Sequence, residues 1–245
     1  MNYELLMSAV DQGIMIPARY CGPAESGNGG YSCGLLAAFV NSDEAIAVTL
    51  RQPPPLDTPL QVSCEGGQAQ LLDGERLIAE AAPAALELQV PVAPALAEAE
   101  AAAQHYPGHH QHAFPHCFVC GPARQAGDGL RIFTGPLQGR ALVAAPWQPD
   151  TGLAGPDGMV KDEYLWAAID CPGAWAVLPE LDTAVVLGRL TARIHGQLAA
   201  DETAVVCGWR LASEGRKHQV GTALFGAGGR LIASAKAIWI ALKNT

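Results

Sequence analysis

One acidic residue stands where the surrounding sequence offers no place for a charge. Between Glu163 and Glu180 the chain reads YLWAAIDCPGAWAVLP, and Asp170 is the only charged side chain in that run. A carboxylate in apolar surroundings either finds a partner or has its pKa pushed upward by lost hydration. Asp170 is therefore the first residue to suspect of chemistry. The competing reading is a structural carboxylate paired with Arg189 or Arg193, or accepting from a strand N–H. A second concentration of reactive types lies upstream, where His105, His109, His110, His112 and His116 precede Cys117 and Cys120. A CxxC beside histidines raises the question of a metal. Structural zinc normally shows two ligand pairs at defined spacing, and no second CxxC answers this one. The expectation is therefore no metal and no cofactor, with the cysteines forming a turn of small thiols after a His-rich connector. Cys33 and Cys171 fall in apolar helical segments and read as packing residues.

The elements that must position Asp170 follow from pattern. From Tyr164 to Val177 the chain is apolar on nearly every side, as a helix reads when other structure wraps it. Asp157, Gly158, Asp162 and Glu163 precede it, residue types that suit a helix N-terminus. Pro172 lacks the N–H that would serve the carbonyl of Ala168, so a kink or early stop is expected there. Earlier, the glycine-rich turn CGPAESGNGG leads into YSCGLLAAFV, read as a helix, and EAIAVTLRQ, LQVSCE, QAQLLD and GERLIAEAAP read as strands. Gly66-Gly67 and Asp73-Gly74 are hairpin turns. The residues GIMIPARY also read as a strand, after a short amphipathic start. From Ala82 to about His116 the composition turns to Ala, Pro, Glu and His, with little to pack, and reads as a surface connector. CFVCGPARQAGDGLRIFTGP and RALVAAPWQPD then read as strands, followed by the central helix and four further strand-like runs from Val185 to Leu242. The order of the first half is repeated. RLIAEA at Arg76 to Ala81 recurs as RLIASA at Arg230 to Ala235, each after a glycine-containing turn, which supports duplication.

The totals narrow the function classes. With 245 residues, 49% hydrophobic and 16% charged, the chain can bury one large core or two ordinary ones. Lys and Arg number 15 against 24 Asp and Glu, a formal charge of -9, which leaves no broad basic surface for nucleic acid. The start, MNYELLMSAVDQG, lacks the basic first residues and apolar core of a secretory signal, and no apolar run of about 18 residues exists. A soluble cytoplasmic protein without a membrane partner is expected. Its seven cysteines, an odd number scattered through apolar segments, fit reduced thiols.

A buried helix followed by an antiparallel sheet, twice in one chain, resembles the hotdog-fold acyl-CoA thioesterase superfamily in its tandem form. Three stretches carry the resemblance: CFVCGPARQAGDGLRI, MVKDEYLWAAIDCPGAWA and GRLIASAKAIWIAL. It implies an α+β protein of two tandem hotdog units, each a long central helix wrapped by an antiparallel sheet. Residues 1–90 would form one unit, 91–115 a connector and 116–245 the other.

The resemblance also implies an active site between the units. Asn28, Gly29 and Gly30 stand where the family has His-Gly-Gly, whose backbone N–H polarises a thioester carbonyl, and Asp170 stands at the position of the family's acid, which acts as general base or nucleophile. Ala37 stands where the first unit's acid would be, so a second site near Asp157 would be degenerate. Tyr31, Asp157, Gly158 and Trp166 are the substrate contacts implied, with Trp147 and Trp175 as further candidates for an acyl pocket. Arg51, Arg124, Arg131, Arg216, Lys217 and Lys236 are candidates for gripping phosphates. The implied partner is acyl-CoA or another acyl thioester, and the implied assembly a monomer of tandem units or a homodimer. A binding module with a decayed site is the rival reading, and a hydratase or dehydratase a more distant one, because no close Asp–His pair in one loop is evident.

Overall fold

The computed structural model describes residues 12–243, and the amphipathic start read in residues 1–11 lies outside them. One antiparallel sheet of eleven strands forms the frame. Residues Gln12–Ile14 (β1), Ala45–Leu50 (β2), Leu60–Glu65 (β3), Gln68–Asp73 (β4) and Arg76–Ala84 (β5) supply one side of it. Gly135–Pro136 (β6), Val143–Trp147 (β7), Val185–Ile194 (β8), Ala204–Glu214 (β9), Lys217–Phe225 (β10) and Leu231–Ala241 (β11) supply the other. Their order across the sheet is β1-β3-β4-β5-β2-β8-β11-β10-β9-β7-β6. The two sides meet where β2 pairs with β8, from Ile46↔Ala192 to Thr49↔Arg189. The echoed sequences take matching places: β5 lies between β4 and β2, and β11 lies between β10 and β8.

Local chemistry explains these elements. The β3–β4 hairpin turns on Gly66 and Gly67, both at positive φ (58° and 77°), which two glycines adopt without the clash a Cβ would bring. Along β3 and β4 burial alternates, with Leu60, Val62, Ala69 and Leu71 facing the core and the intervening residues outward. From Val205 to Trp209 strand β9 is buried on both faces. One face meets the main core, while Val205, Cys207 and Trp209 meet a second cluster under helix α2, Leu96–Ala103. Ala99 and Ala102 of α2 are buried against it. The segment read as a connector with little to pack is thus seated. Tyr106, also read as connector, is almost wholly buried, and its hydroxyl donates to the carbonyl of Cys120 at 2.8 Å.

Three further helices pack against the sheet. Helix α1, Gly29–Ala37, is buried at seven of nine positions and packs on β2, β5 and β8. The long helix expected from Tyr164 to Val177 is two short ones, α3 (Asp162–Ala168) and α4 (Cys171–Trp175). The chain breaks at Ile169 and Asp170, and Pro172 sits in the first turn of α4, where a helix does not call on the N–H that proline lacks. Each fully buried apolar residue here, such as Leu36 or Ile169, contributes roughly 1.5–3 kcal/mol.

Two expected strands are absent from their places. The stretch from Cys117 to Ile132 is a chain of turns in which Phe118, Val119 and Ile132 are fully buried, and only Gly135–Pro136 pairs as a strand beyond it. Gly121-Pro122 and Gly127-Asp128-Gly129 break the period that its apolar residues suggest. In GIMIPARY only Gly13–Ile14 continue a strand, and Ala18–Tyr20 form a 3-10 turn after Pro17.

Candidate active site between helix α1 and helix α4

Asp170 is the second of the two residues between α3 and α4, and it is buried, with 1% of its surface exposed. Its Oδ2 accepts from Asn28 Nδ2 at 3.0 Å and from the Gly30 backbone N–H at 3.0 Å, both from the start of α1. Its Oδ1 is buried and has no hydrogen-bond partner among the described residues. The carboxylate therefore sits at a helix N-terminus, where exposed N–H groups and the helix dipole favour negative charge. Burial still dominates and pushes its pKa up to about 7, against the lowering by the Gly30 N–H and the Asn28 amide.

Asn28 holds the arrangement together. Its Oδ1 accepts from the Tyr31 N–H at 2.9 Å and so caps α1, while its Nδ2 reaches Asp170. The glycines that follow allow close contact. A Cβ on Gly30 would stand 2.5 Å from Asp170 Cβ and 2.7 Å from the Trp166 carbonyl, and one on Gly34 would stand 2.7 Å from Glu163 Cα. Helix α1 can lie directly on α3 because side chains are missing at both points.

A cleft of about 1220 Å³ opens beside these groups. It lies where the β2–β8 ladder ends, lined by Leu50 at the end of β2 and Arg51 to Pro54 after it, Val185 to Gly188 at the start of β8, and Trp239 near the end of β11. The loop from Gly22 to Asn28, the segment from His110 to Phe114, and α4 close its sides. Asn28, Gly29 and Asp170 face it. Among the described residues no acceptor pairs with the Gly29 N–H, which makes it a donor at the cleft floor.

The structure thus brings Asp170, Asn28, Gly29 and Gly30 together, and disperses the remaining expected contacts. Tyr31 is buried in an aromatic cluster, stacked on Tyr20 at 4.2 Å and near Phe118 and Tyr164, and burial pushes its phenol above its usual range. Trp166 packs against Gly34 in the core. Asp157 and Gly158 form an exposed turn, in which Asp157 Oδ1 accepts from the Met159 N–H at 3.1 Å. None of these four lines the cleft. Of the tryptophans, Trp175 and Trp239 line it, and Trp147 does not. Of the candidate cations Arg51 alone lies at its edge, ion-paired with Glu80. Arg124 is committed elsewhere, to the carbonyls of His116 and Arg19 and to Asp128.

Sequence reading missed Trp239, placed by its strand, and the meeting of Cys171 with the CxxC. Cys171 Sγ stands 3.7 Å from Cys117 Sγ, and both sulfurs lie 3.9 Å from Asn28 Nδ2. Hydrogen bonds from Cys120 and Cys171 hold the Cys117 thiol below its ordinary range despite burial. The only available signal was that Cys171 adjoins Asp170, since the two segments are fifty-one residues apart.

Among the described residues no helix is long and apolar enough to cross a membrane. No protein-family model matches the sequence, and no curated protein does. Solved structures do. A tesB protein of Mycobacterium avium subsp. paratuberculosis superposes with a TM-score of 0.59 at 14% identity, over 94% of this chain and 91% of that one. A proposed thioesterase II of Thermobifida fusca superposes with 0.63 at 14% identity, over 97% and 94%. A conserved hot dog-fold protein of unknown function from Alicyclobacillus acidocaldarius superposes with 0.61 at 10% identity, over 95% and 93%. At this identity the likeness is one of fold alone, and the fold of the chain is the hotdog fold.

Proposed function

We propose that the chain hydrolyses an acyl thioester, acyl-CoA or a related carrier ester, in the cleft beside Asp170. The observation that carries this is the division of labour within one carboxyl group. Oδ2 is held by Asn28 and Gly30 while the buried Oδ1 is left unpartnered, and the residue lines the cleft. Asp170 Oδ1 takes a proton from a water molecule as that water attacks the thioester carbonyl carbon. The Gly29 N–H, at the positive end of α1, donates to the oxygen on which charge develops. The carbon–sulfur bond then breaks, the proton passes to the departing thiolate, and a carboxylic acid is left. Two tandem hotdog units, residues 1–90 and 116–245 with 91–115 between them, would bring these groups together from separate copies. Such a chain carries both halves of a site and needs no partner to complete it, so a monomer suffices and a homodimer is compatible.

A specific observation favours a second reading, a module that binds an acyl thioester without turnover. Gly30 already donates to Asp170, which leaves one N–H at the helix start for an oxyanion. Assay of thioester hydrolysis over short, medium, long and aryl acyl-CoA separates the two. Turnover that falls with Asp170→Asn supports the hydrolase. Saturable binding of the same thioesters without turnover supports the module.

A further inference from the structure

Four side chains that hydrolysis leaves without a task meet on one wall of the cleft. Cys117 and Cys120 come from the turn after His116, Cys171 is the first residue of α4, and His112 precedes the turn. The three sulfurs lie within 4.8 Å of one another, and all three cysteines are buried and free. Two thiolates on one tetrahedral zinc, each at about 2.3 Å, stand about 3.8 Å apart. The 3.7 Å between Cys117 and Cys171 already has that spacing. Cys120 closes the triangle with a shift of no more than about 1 Å, within reach of a small side-chain rotation.

His112 settles how many ligands the chain offers. Its Nε2 is 3.4 Å from Cys120 Sγ, while its Nδ1 accepts from the Phe114 N–H at 3.0 Å. A metal-bound imidazole carries its proton on the other nitrogen and donates it. Here the other nitrogen is an acceptor, so the proton belongs on Nε2 and points at sulfur. His112 is thereby a donor to the Cys120 thiolate. The cleft reaches all three cysteines, which leaves a fourth coordination position facing it.

We propose that Cys117, Cys120 and Cys171 bind one soft divalent cation, Zn²⁺, as three thiolates, with His112 donating to Cys120 and the fourth position open to the cleft. Thiolates select zinc over the hard cations Mg²⁺ and Ca²⁺. Binding releases the thiol protons to solvent. Because Cys171 follows Asp170 directly, the ion would tie the backbone of the acid to the turn at residues 117–120. The assignment stands on the sulfur geometry and does not depend on the hydrolytic reading.

The test uses the full chain, reduced and stripped with a chelator, then titrated with Zn²⁺ or Co²⁺. One equivalent of Zn²⁺ is expected, with sulfur-to-cobalt charge-transfer bands in the near ultraviolet when Co²⁺ replaces it. Cys171→Ser and Cys120→Ser should weaken both metals' binding and lower those bands, while Cys33→Ser and Cys207→Ser leave them unchanged. His112→Ala should keep one equivalent. X-ray absorption on the zinc-loaded wild type, which needs no variant to fold, should count three sulfurs at about 2.3 Å. No stoichiometric metal, or a Cys171→Ser protein that binds like wild type, overturns the proposal. Loss of binding in folded His112→Ala overturns the three-thiolate assignment.

Discussion

The Oδ2 atom of Asp170 and the backbone N–H of Gly30 are 3.0 Å apart, and that contact exists because Gly30 has no side chain. Gly30→Ala places a methyl group against Asp170 Cβ and the Trp166 carbonyl, so α1 must lift from α3. Overpacking of this kind costs about 1–3 kcal/mol. A lowered thermal midpoint and loss of thioester hydrolysis are expected together. A variant that melts and turns over like wild type would show that α1 is not seated on α3.

Asp170→Asn keeps an oxygen for Asn28 and Gly30 to donate to, and removes the base. Hydrolysis should fall by about 10² to 10⁴ in kcat. The fold should be retained, because a neutral amide avoids the cost of burying a charge with one unpartnered oxygen. Steady-state rates set beside a melting curve check both halves of the statement. Rates that ignore the substitution sink the proposed mechanism.

Asn28 has two separable duties, capping α1 and reaching Asp170. Asn28→Ala should lose both, with about 1 kcal/mol of stability gone through the cap. Asn28→Ser restores an oxygen for the Tyr31 N–H but no donor for Asp170. Its stability should recover while hydrolysis stays low. If Asn28→Ser recovers activity too, the amide contact to Asp170 does not matter to the chemistry.

Arg51, at the edge of the cleft, is the cation placed to meet an anionic carrier. Arg51→Ala should raise KM for acyl-CoA roughly two- to fivefold, the scale of one solvent-exposed ion pair, with kcat unchanged. Thioesters of N-acetylcysteamine, which lack phosphates, should show no change. An equal effect on both substrates would point to a structural role through Glu80.

His195 gives a pH dependence of stability. Its Nε2 is 2.9 Å from Ser234 Oγ, and partial burial, then the charge of Arg193, lowers its pKa from 6.5. The unfolded chain therefore binds the proton more readily than the folded one. Stability is present above pH 6.5 and is lost as pH falls through the lower folded value. Denaturant midpoints measured from pH 7.5 to 5 should decline less in His195→Gln than in wild type.

The parts of the site legible in sequence were those that break a local rule. Asp170 announced itself as the single charge in an apolar run, and Asn28, Gly29 and Gly30 through their resemblance to a His-Gly-Gly at the start of a helix. The hairpins at Gly66-Gly67 and Asp73-Gly74 and the strands from Val185 to Ala241 followed from period and turn chemistry. What stayed hidden was spatial. Nothing in the pattern says that Cys171 meets Cys117, because the meeting depends on how α4 lies against the turn. The apolar residues of the stretch from Cys117 to Ile132 mimic a strand, yet they are buried one by one from a path of turns. In Tyr164 to Val177 Pro172 signals a break, yet the uniform apolar composition does not say that it falls earlier, at Ile169–Asp170.

The ladder shared by β2 and β8 decides how this protein can breathe. Lobes joined by a tether alone can swing apart to admit a ligand, whereas lobes stitched into one sheet keep a fixed floor beneath it. Access must then come from the rim, where the stretch from His110 to Phe114 lines the cleft. Loading and unloading should therefore leave the overall dimensions of the molecule unchanged in solution scattering.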